Sequence, residues 1–468
     1  MTTPEVLKPA CVVLTPGIKA TKHVVFGSQK LGPVPTAVLD ALTTTRAKLL
    51  CECKDFAKPA QYQWEKEKAQ FQLDAYMENA SQYLSLLQGF LNAARAPALA
   101  PTDDNDEAAA SKPVVAEKPA PAVSFAFCEW LDVTAKSSVH ALNAYHEYAH
   151  ALYAVGTVLL QRASDLTTAM LSSRDFEFDE PKLKEAYQIL LRTAGLFDAA
   201  LGFLGQNRQT TAATGADDAA MAAWRAEQAQ ADTAATFAPE LSRIKDFEGG
   251  AGLTALRAIA LAQAQELVVL RGVTRETVDW VLMGKLCVDI ASRYKDTLAS
   301  LPASQVKLRG WCDFKTIYYT ALGLYYQGVA EWNKKDAPGC VQAIAQFQQA
   351  KEQLARLTTL AAETQRTRDI IQRDLDIAAA RNSSVYFETI PPPLPALPPT
   401  GLVQPQAFAN RTIHDCTQHQ RIIFHLVAPA HALWKEPLPS AQATSAATPA
   451  RGSPDLPHPD AGCACAIM

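Results

Sequence analysis

Apolar residues return at three- and four-residue spacing in window after window of this chain, from about Pro35 to Arg381, and almost nowhere alternate one by one. A period near 3.6 gathers such residues on one face of a helix, whereas a strand needs a period of two. The chain is therefore expected to be mainly α. One window runs from Thr36 to about Cys53. A second spans 71–91, where Leu73, Tyr76, Met77, Ala80, Tyr83, Leu84, Leu87 and Leu91 share a face. Others follow at about 139–166, 181–204, 216–236, 252–270, 275–301, 311–332 and 338–381. Within the last two, Ala321, Gly328, Ala343 and Ala350 alternate with Tyr325, Tyr326 and Phe347, the small-against-large fit of a tetratricopeptide-like helix hairpin. The first 30 residues mix prolines with Val12-Val13 and Val24-Val25-Phe26, a pattern of short strands or an extended lead-in.

Three stretches break this texture. Residues 96–122 are rich in Ala, Pro, Asp and Lys and hold no aromatic, so they cannot bury a face and read as a disordered insertion within a domain. Ile390-Pro-Pro-Pro-Leu-Pro-Ala-Leu-Pro-Pro399 begins an arm, reaching to about residue 410, where proline forbids helix and favours polyproline II. Such an arm packs back along its own domain or serves as an SH3-type ligand. From 435 the chain is Pro, Ser, Ala and Thr and is expected to be a disordered tail, which leaves one domain over 1–434. With 48% apolar residues that domain can bury a sizeable core. Forty-four basic against 48 acidic side chains give a net charge of -4, so no global positive field draws in nucleic acid. The run Ala10 to Leu14 is too short for a secretory signal, and the richest apolar stretch, 258–270, is broken by Gln263, Gln265 and Glu266. A cytoplasmic protein is expected. The ten cysteines are scattered without a C-x-x-C pair, so they read as buried thiols rather than a disulfide or zinc framework.

Three constellations carry chemistry. Cys465-Ala-Ile-Met468 is a prenylation box whose terminal Met favours farnesyl. One isoprenoid holds a membrane only marginally, and the tail has no polybasic patch, so Cys463 is the candidate second anchor by palmitoylation. His146-Glu147-Tyr148-Ala149-His150 matches the H-E-x-x-H of zinc hydrolases, two histidines one turn apart with a glutamate as general base. The zincin extension is missing, since Tyr153 stands where Gly belongs, and core packing is the expected role. The helix from Arg275, at roughly 100° per residue, spreads its apolar side chains over an arc of about 200°. Trp280, Met283, Cys287 and Ile290 form one stripe for the interior. Val278, Leu282 and Leu286 form a second, with Lys285 beside it and Asp289 at its end. The second stripe is either sandwiched by a neighbouring helix or left open to receive an amphipathic one.

Leu261-Ala-Gln-Ala-Gln-Glu266 followed by Lys285-Leu286, with Leu86-Leu87-Gln88-Gly89-Phe90, Tyr318-Tyr319-x-Ala321, Tyr325-Tyr326-x-Gly328 and Val385-Tyr386-Phe387-Glu388-Thr389-Ile390-Pro391, resembles the Bro-domain family of ESCRT-associated proteins typified by Alix. The prenylation box and the lack of a following coiled-coil domain make it most similar to the short prenylated kind. The resemblance implies a curved, banana-shaped α domain with tetratricopeptide-like hairpins and a small N-terminal β-sheet. It implies a non-enzymatic adaptor without cofactor, metal or small-molecule substrate. Its expected partner is the C-terminal amphipathic helix of an ESCRT-III subunit of the charged multivesicular body protein class, at endosomal or nuclear-envelope membranes. Carried over by position, the groove falls on Val268, Val278, Leu282 and Leu286, with Lys285 beside it and Glu180 and Lys184 on a neighbouring helix. Val268 stands where some relatives carry a bulkier aromatic, which makes the groove shallower. The insertion at 96–122 departs from the family, as does Phe125-x-Phe127-x-x-Trp130-x-Asp132, one residue longer than the usual spacing. Tyr386 occupies the place of a phosphorylatable tyrosine, with a structural role expected here. The alternatives are a scaffold for a Rho-linked or pH-signalling partner and a zinc hydrolase built on His146 and His150.

Overall fold

A computed structural model describes residues 7–19, 21–28, 34–56, 63–95, 128–133, 138–141, 144–171, 179–203, 247–357 and 361–403. The expected helix at 216–236, the insertion at 96–122, and everything past Val403, including Cys463 and Cys465, lie outside them. Among the described residues nine helices form: α1 Thr36–Phe56, α2 Gln63–Arg95, α3 Ala144–Leu171, α4 Glu180–Phe203, α5 Ala251–Val273, α6 Trp280–Ser300, α7 Val306–Trp332, α8 Ala337–Ala355 and α9 Ala361–Arg381. From α3 onward each packs on its successor, which buries the apolar face of each amphipathic helix.

Side chains set several helix ends. Asp279 Oδ1 accepts from Leu282 N at 2.9 Å and starts α6; Asp336 Oδ1 accepts from Gly339 N at 2.7 Å and starts α8. Arg309 donates to Leu298 O and Leu301 O, and Arg368 to Leu354 O and Leu357 O, so one arginine closes the C-terminus of α6 and another that of α8. The second closure corrects the expectation of one helix over 338–381: α8 stops at Ala355 and α9 starts at Ala361. The hairpin of α7 and α8 is as expected. A Cβ on Gly328 would lie 2.7 Å from the Phe347 ring, so only glycine lets the two helices meet there.

The sheet differs from expectation in its source. Its antiparallel strands are β1, Cys128–Leu131, and β2, Ser138–Ala141, with Cys128 opposite Ala141. Of the first 30 residues, the described ones add a single bridge, Thr21 to Trp130, and a 3-10 turn at Phe26–Ser28. They are otherwise without regular structure, and burial alternates from Leu7 to Val13. Tyr326 donates to Leu7 O at 2.9 Å, and Ala10 N donates to the Tyr318 hydroxyl at 2.9 Å, which tie this segment to α7. Helix α5 is long and apolar enough to cross a membrane, yet most of it is enclosed by the fold, as in a core helix. Of the described cysteines, Cys51 is exposed and Cys11, Cys128, Cys287, Cys312 and Cys340 are buried.

Candidate functional site

The arc on α6 resolves into an inner and an outer face. Met283, Cys287 and Ile290 are enclosed, and Trp280 lies half-buried with its ring 5.8 Å from that of Tyr326. Val278 and Leu282 remain partly exposed, as does Val268 on α5. Leu286 does not: its exposure is 0%, because that side of α6 faces α5, whose Gln265 amide reaches Leu286 O at 3.3 Å. The expectation that Leu286 lines the surface is thus corrected, and it belongs to the core. Val281 takes its place. It is 43% exposed and one turn before Lys285, and the helical wheel left it out; Val278 precedes the helix, which starts at Trp280 and not at the expected Arg275.

The rim comes from α4 and α5. Glu180 opens α4 and is paired with Arg271 near the end of α5; their side chains are 54% and 48% exposed, so the pair is worth under about 1 kcal/mol and remains open to exchange. Lys184 is exposed one turn along α4, and Lys285 borders the valines on α6. Arg271 was not foreseen, since its partner lies 91 residues away and leaves no local pattern. The candidate strip comprises Val268, Val278, Val281 and Leu282, none of them buried, with Glu180, Lys184, Arg271 and Lys285 as its charged residues, side-chain types suited to receiving an apolar helix face.

Behind the strip stand Gln265 and Glu266, the end of the stretch that carries the family resemblance. Gln265 Nε2 donates to Asp289 Oδ2 at 2.7 Å, and its Oε1 accepts from Leu402 N at 3.2 Å, which fastens the proline-rich arm to α5 and α6. Glu266 is 1% exposed and accepts from Tyr294 of α6 at 2.7 Å and from Lys315 of α7 at 2.6 Å. One residue therefore joins α5 to the arm, and the next joins it to the interior.

A family model described as BRO1-like domain matches residues 113–436. The chain belongs to the BRO1-like domain family. Among solved structures this Bro1-like domain is similar to the ALIX BRO1 CHMP4C complex, with a TM-score of 0.54 and 15% identity over 86% of this chain and 98% of that one. It is similar to ALIX in complex with the SIVmac239 PYKEVTEDL late domain, at 0.55 and 15% over 87% and 50%. A third structure, concerned with endosomal targeting by the Bro1 domain, aligns at 0.52 and 13% over 86% and 94%. At such identities the likeness is one of fold. No curated protein matches the chain.

The H-E-x-x-H pattern of this Bro1-like domain is structural. Glu147 is completely buried, and both its oxygens are occupied: Oε1 accepts from Arg46 Nε at 3.1 Å and Tyr83 Oη at 2.5 Å, and Oε2 from Trp130 Nε1 at 2.7 Å. A carboxylate so saturated has no oxygen left to activate a water, and Glu147 instead ties α1, α2, β1 and α3 together, in line with the expected role in core packing. The His150 ring stacks on Trp130 at 5.7 Å and meets Phe247 edge-on at 4.8 Å. Among the described residues no three His, Cys, Asp or Glu side chains converge to hold a metal.

Burial, with Lys19, His146 and Arg46 nearby, pushes His150 well below the usual imidazole range. The folded state therefore binds fewer protons than the unfolded one below about pH 6.5, and stability falls as pH drops. The expected slope is up to about 1.4 kcal/mol per pH unit. His150→Phe, which keeps an aromatic ring against Trp130 and Phe247, is expected to flatten the melting midpoint between pH 6.5 and 5; an unchanged slope would show that other groups set it.

Proposed function

We propose that this Bro1-like domain is a non-enzymatic adaptor whose strip on α5 and α6 receives the C-terminal amphipathic helix of an ESCRT-III subunit, a charged multivesicular body protein. The observation that carries this reading is that Val278, Val281 and Leu282, close together in the chain with Lys285, and Val268 on the adjoining helix α5 all remain open to solvent. Support comes from the shared fold with an ALIX BRO1 domain solved as a CHMP4C complex. Glu180 and Lys184 offer opposite charges to the guest's polar edge. Complete burial of a Val or Leu side chain yields about 1.5–3 kcal/mol, and these are partly buried already, so micromolar affinity follows once the guest's ordering is counted. A partner presented as a polymer makes such weak contact sufficient through avidity.

Leu282→Asp is expected to weaken binding of an ESCRT-III C-terminal peptide by roughly tenfold or more, the cost of placing a charge in a buried apolar contact. Helix content and melting should stay near wild type because Leu282 is already partly solvated. An unaltered affinity in a fluorescence anisotropy titration would remove the strip as the site. Membrane recruitment belongs to Cys465 in the prenylation box, assisted by acylation of Cys463, at the cytosolic face of endosomal or nuclear-envelope membranes. Cys465→Ser is expected to move the protein from membrane pellets to the soluble fraction, and persistent pelleting would exclude this anchor.

A further inference from the structure

The proline-rich arm continues extended to Val403, and its exposure repeats every third residue. Pro391, Leu394, Leu397 and Thr400 are partly covered and Val403 is buried, while both residues between each successive pair are exposed. Three residues per turn is the period of polyproline II, so one edge of a left-handed helix faces the domain and two edges face solvent.

The inner edge is held by side chains. Leu397 Cδ1 sits 2.8 Å from where a Cβ on Gly284 would stand, a contact available because α6 has glycine there. Polyproline II makes no internal hydrogen bonds, which leaves its carbonyls available. Glutamine amides take them: Gln342 Nε2 donates to Pro392 O at 3.1 Å, Gln346 Nε2 to Leu394 O at 3.3 Å, Gln327 Nε2 to Pro395 O at 3.2 Å and Gln265 Nε2 to Thr400 O at 3.5 Å. No backbone ladder is involved in these contacts. The outward edges carry Pro392, Pro395 and Pro398 on one side and Pro393, Ala396 and Pro399 on the other. The pairs Pro392-Pro393, Pro395-Ala396 and Pro398-Pro399 therefore project at steps of about 9 Å, three residues at 3.1 Å each.

We propose that the docked arm is a ready-made ligand for a polyproline-reading domain of the SH3 or WW kind, whose aromatic-lined groove grips the two outer edges while the Bro1-like domain holds the third. Such grooves exploit prolines already set in polyproline II. Here the ordering cost is met in advance by the glutamines and by Leu397. The stretch from Ile390 to Val403 has no charged residue, so the reader must rely on its aromatic ridge rather than on an acidic pocket for a basic flank. This surface is distinct from the strip on α5 and α6 and does not depend on what the strip binds.

The test overlays the full-length folded protein on an array of isolated SH3, WW and EVH1 domains and titrates the hits by biolayer interferometry. At least one domain is expected to bind at micromolar strength. Pro395→Ala with Pro398→Ala, both on an outer edge, should weaken it roughly tenfold or more with melting unchanged. Undocking the inner edge, by Leu397→Asp or separately by Gln342→Ala with Gln346→Ala, should weaken it several-fold, since the arm then pays its own ordering. Absence of any binding domain, indifference to the proline pair, or tighter binding on undocking would each overturn the proposal; the last would mean that a free arm is what is read.

Discussion

Glu147→Ala is expected to lower the stability of this domain by about 5 kcal/mol, the combined cost of a stranded buried cation and two orphaned donors. The Arg46 side chain is 2% exposed, and among the described residues its guanidinium meets, apart from Glu147, the neutral groups Lys22 O and Thr21 Oγ1 and the face of Trp130. Removing the carboxylate leaves that charge without a counter-ion where water cannot reach it, while the Tyr83 hydroxyl and the Trp130 indole lose their acceptors. For a domain of this size about 5 kcal/mol corresponds to roughly 10 °C in melting midpoint, readable by circular dichroism. Glu147→Gln keeps one acceptor oxygen and should cost less, about 3 kcal/mol. Arg46→Met combined with Glu147→Leu should recover part of the loss, because both charges leave together. A change under about 1 kcal/mol in the alanine variant would refute a structural role for this glutamate.

How far this arrangement could be read in advance depends on the range over which each feature acts. Helices α1 and α4 and the hairpin of α7 and α8 were legible because a 3.6-residue period and a glycine facing a phenylalanine are local signals. That His146-Glu147-x-x-His150 packs into the core was legible as well, but the partners of Glu147 were not, since Arg46 lies 101 residues from it and Tyr83 lies 64 away. A local pattern tells which side chains share a helix face; the donors that saturate one of them come from elsewhere in the chain. The same reason accounts for Leu286. The wheel gave its angle on α6 correctly but could not say that α5 covers that angle, nor that Val281, just beyond the edge of the stripe, stays open. The resemblance assigned Val268, Val278, Leu282 and Lys285 to one groove; the fold packs α5 on α6 and leaves these four side chains part-exposed. The stretch ending in Gln265-Glu266 identified the family, yet its work is done with Leu402, Tyr294 and Lys315, which lie too far along the chain to be paired by spacing.

Lys315→Met should cost about 3–5 kcal/mol, the usual result of breaking one side of a buried ion pair. The ammonium is 0% exposed, lies 2.6 Å from Glu266 Oε2, and sits 5.2 Å from the centroid of the Trp311 ring and 5.5 Å from that of Tyr319. Methionine fills the methylene path along those rings, so the loss isolates the charge and not the volume. Adding Glu266→Leu should return most of the stability, since taking both ions out of a dry interior also removes the cost of desolvating them. Urea denaturation of the four proteins gives the coupling directly; a double variant as damaged as the sum of its parts would mean the two residues act independently. The double variant should also bind the ESCRT-III peptide within about twofold of wild type. Tyr294, the α6 partner of Glu266, is three turns from Leu282, and the register of α6 is fixed as well by Met283, Cys287 and Ile290 in the core. The ion pair joins the inner face of α5 to α7, whereas the strip lies on the open side of α5 and α6, and the intervening apolar packing is enough to keep one from disturbing the other.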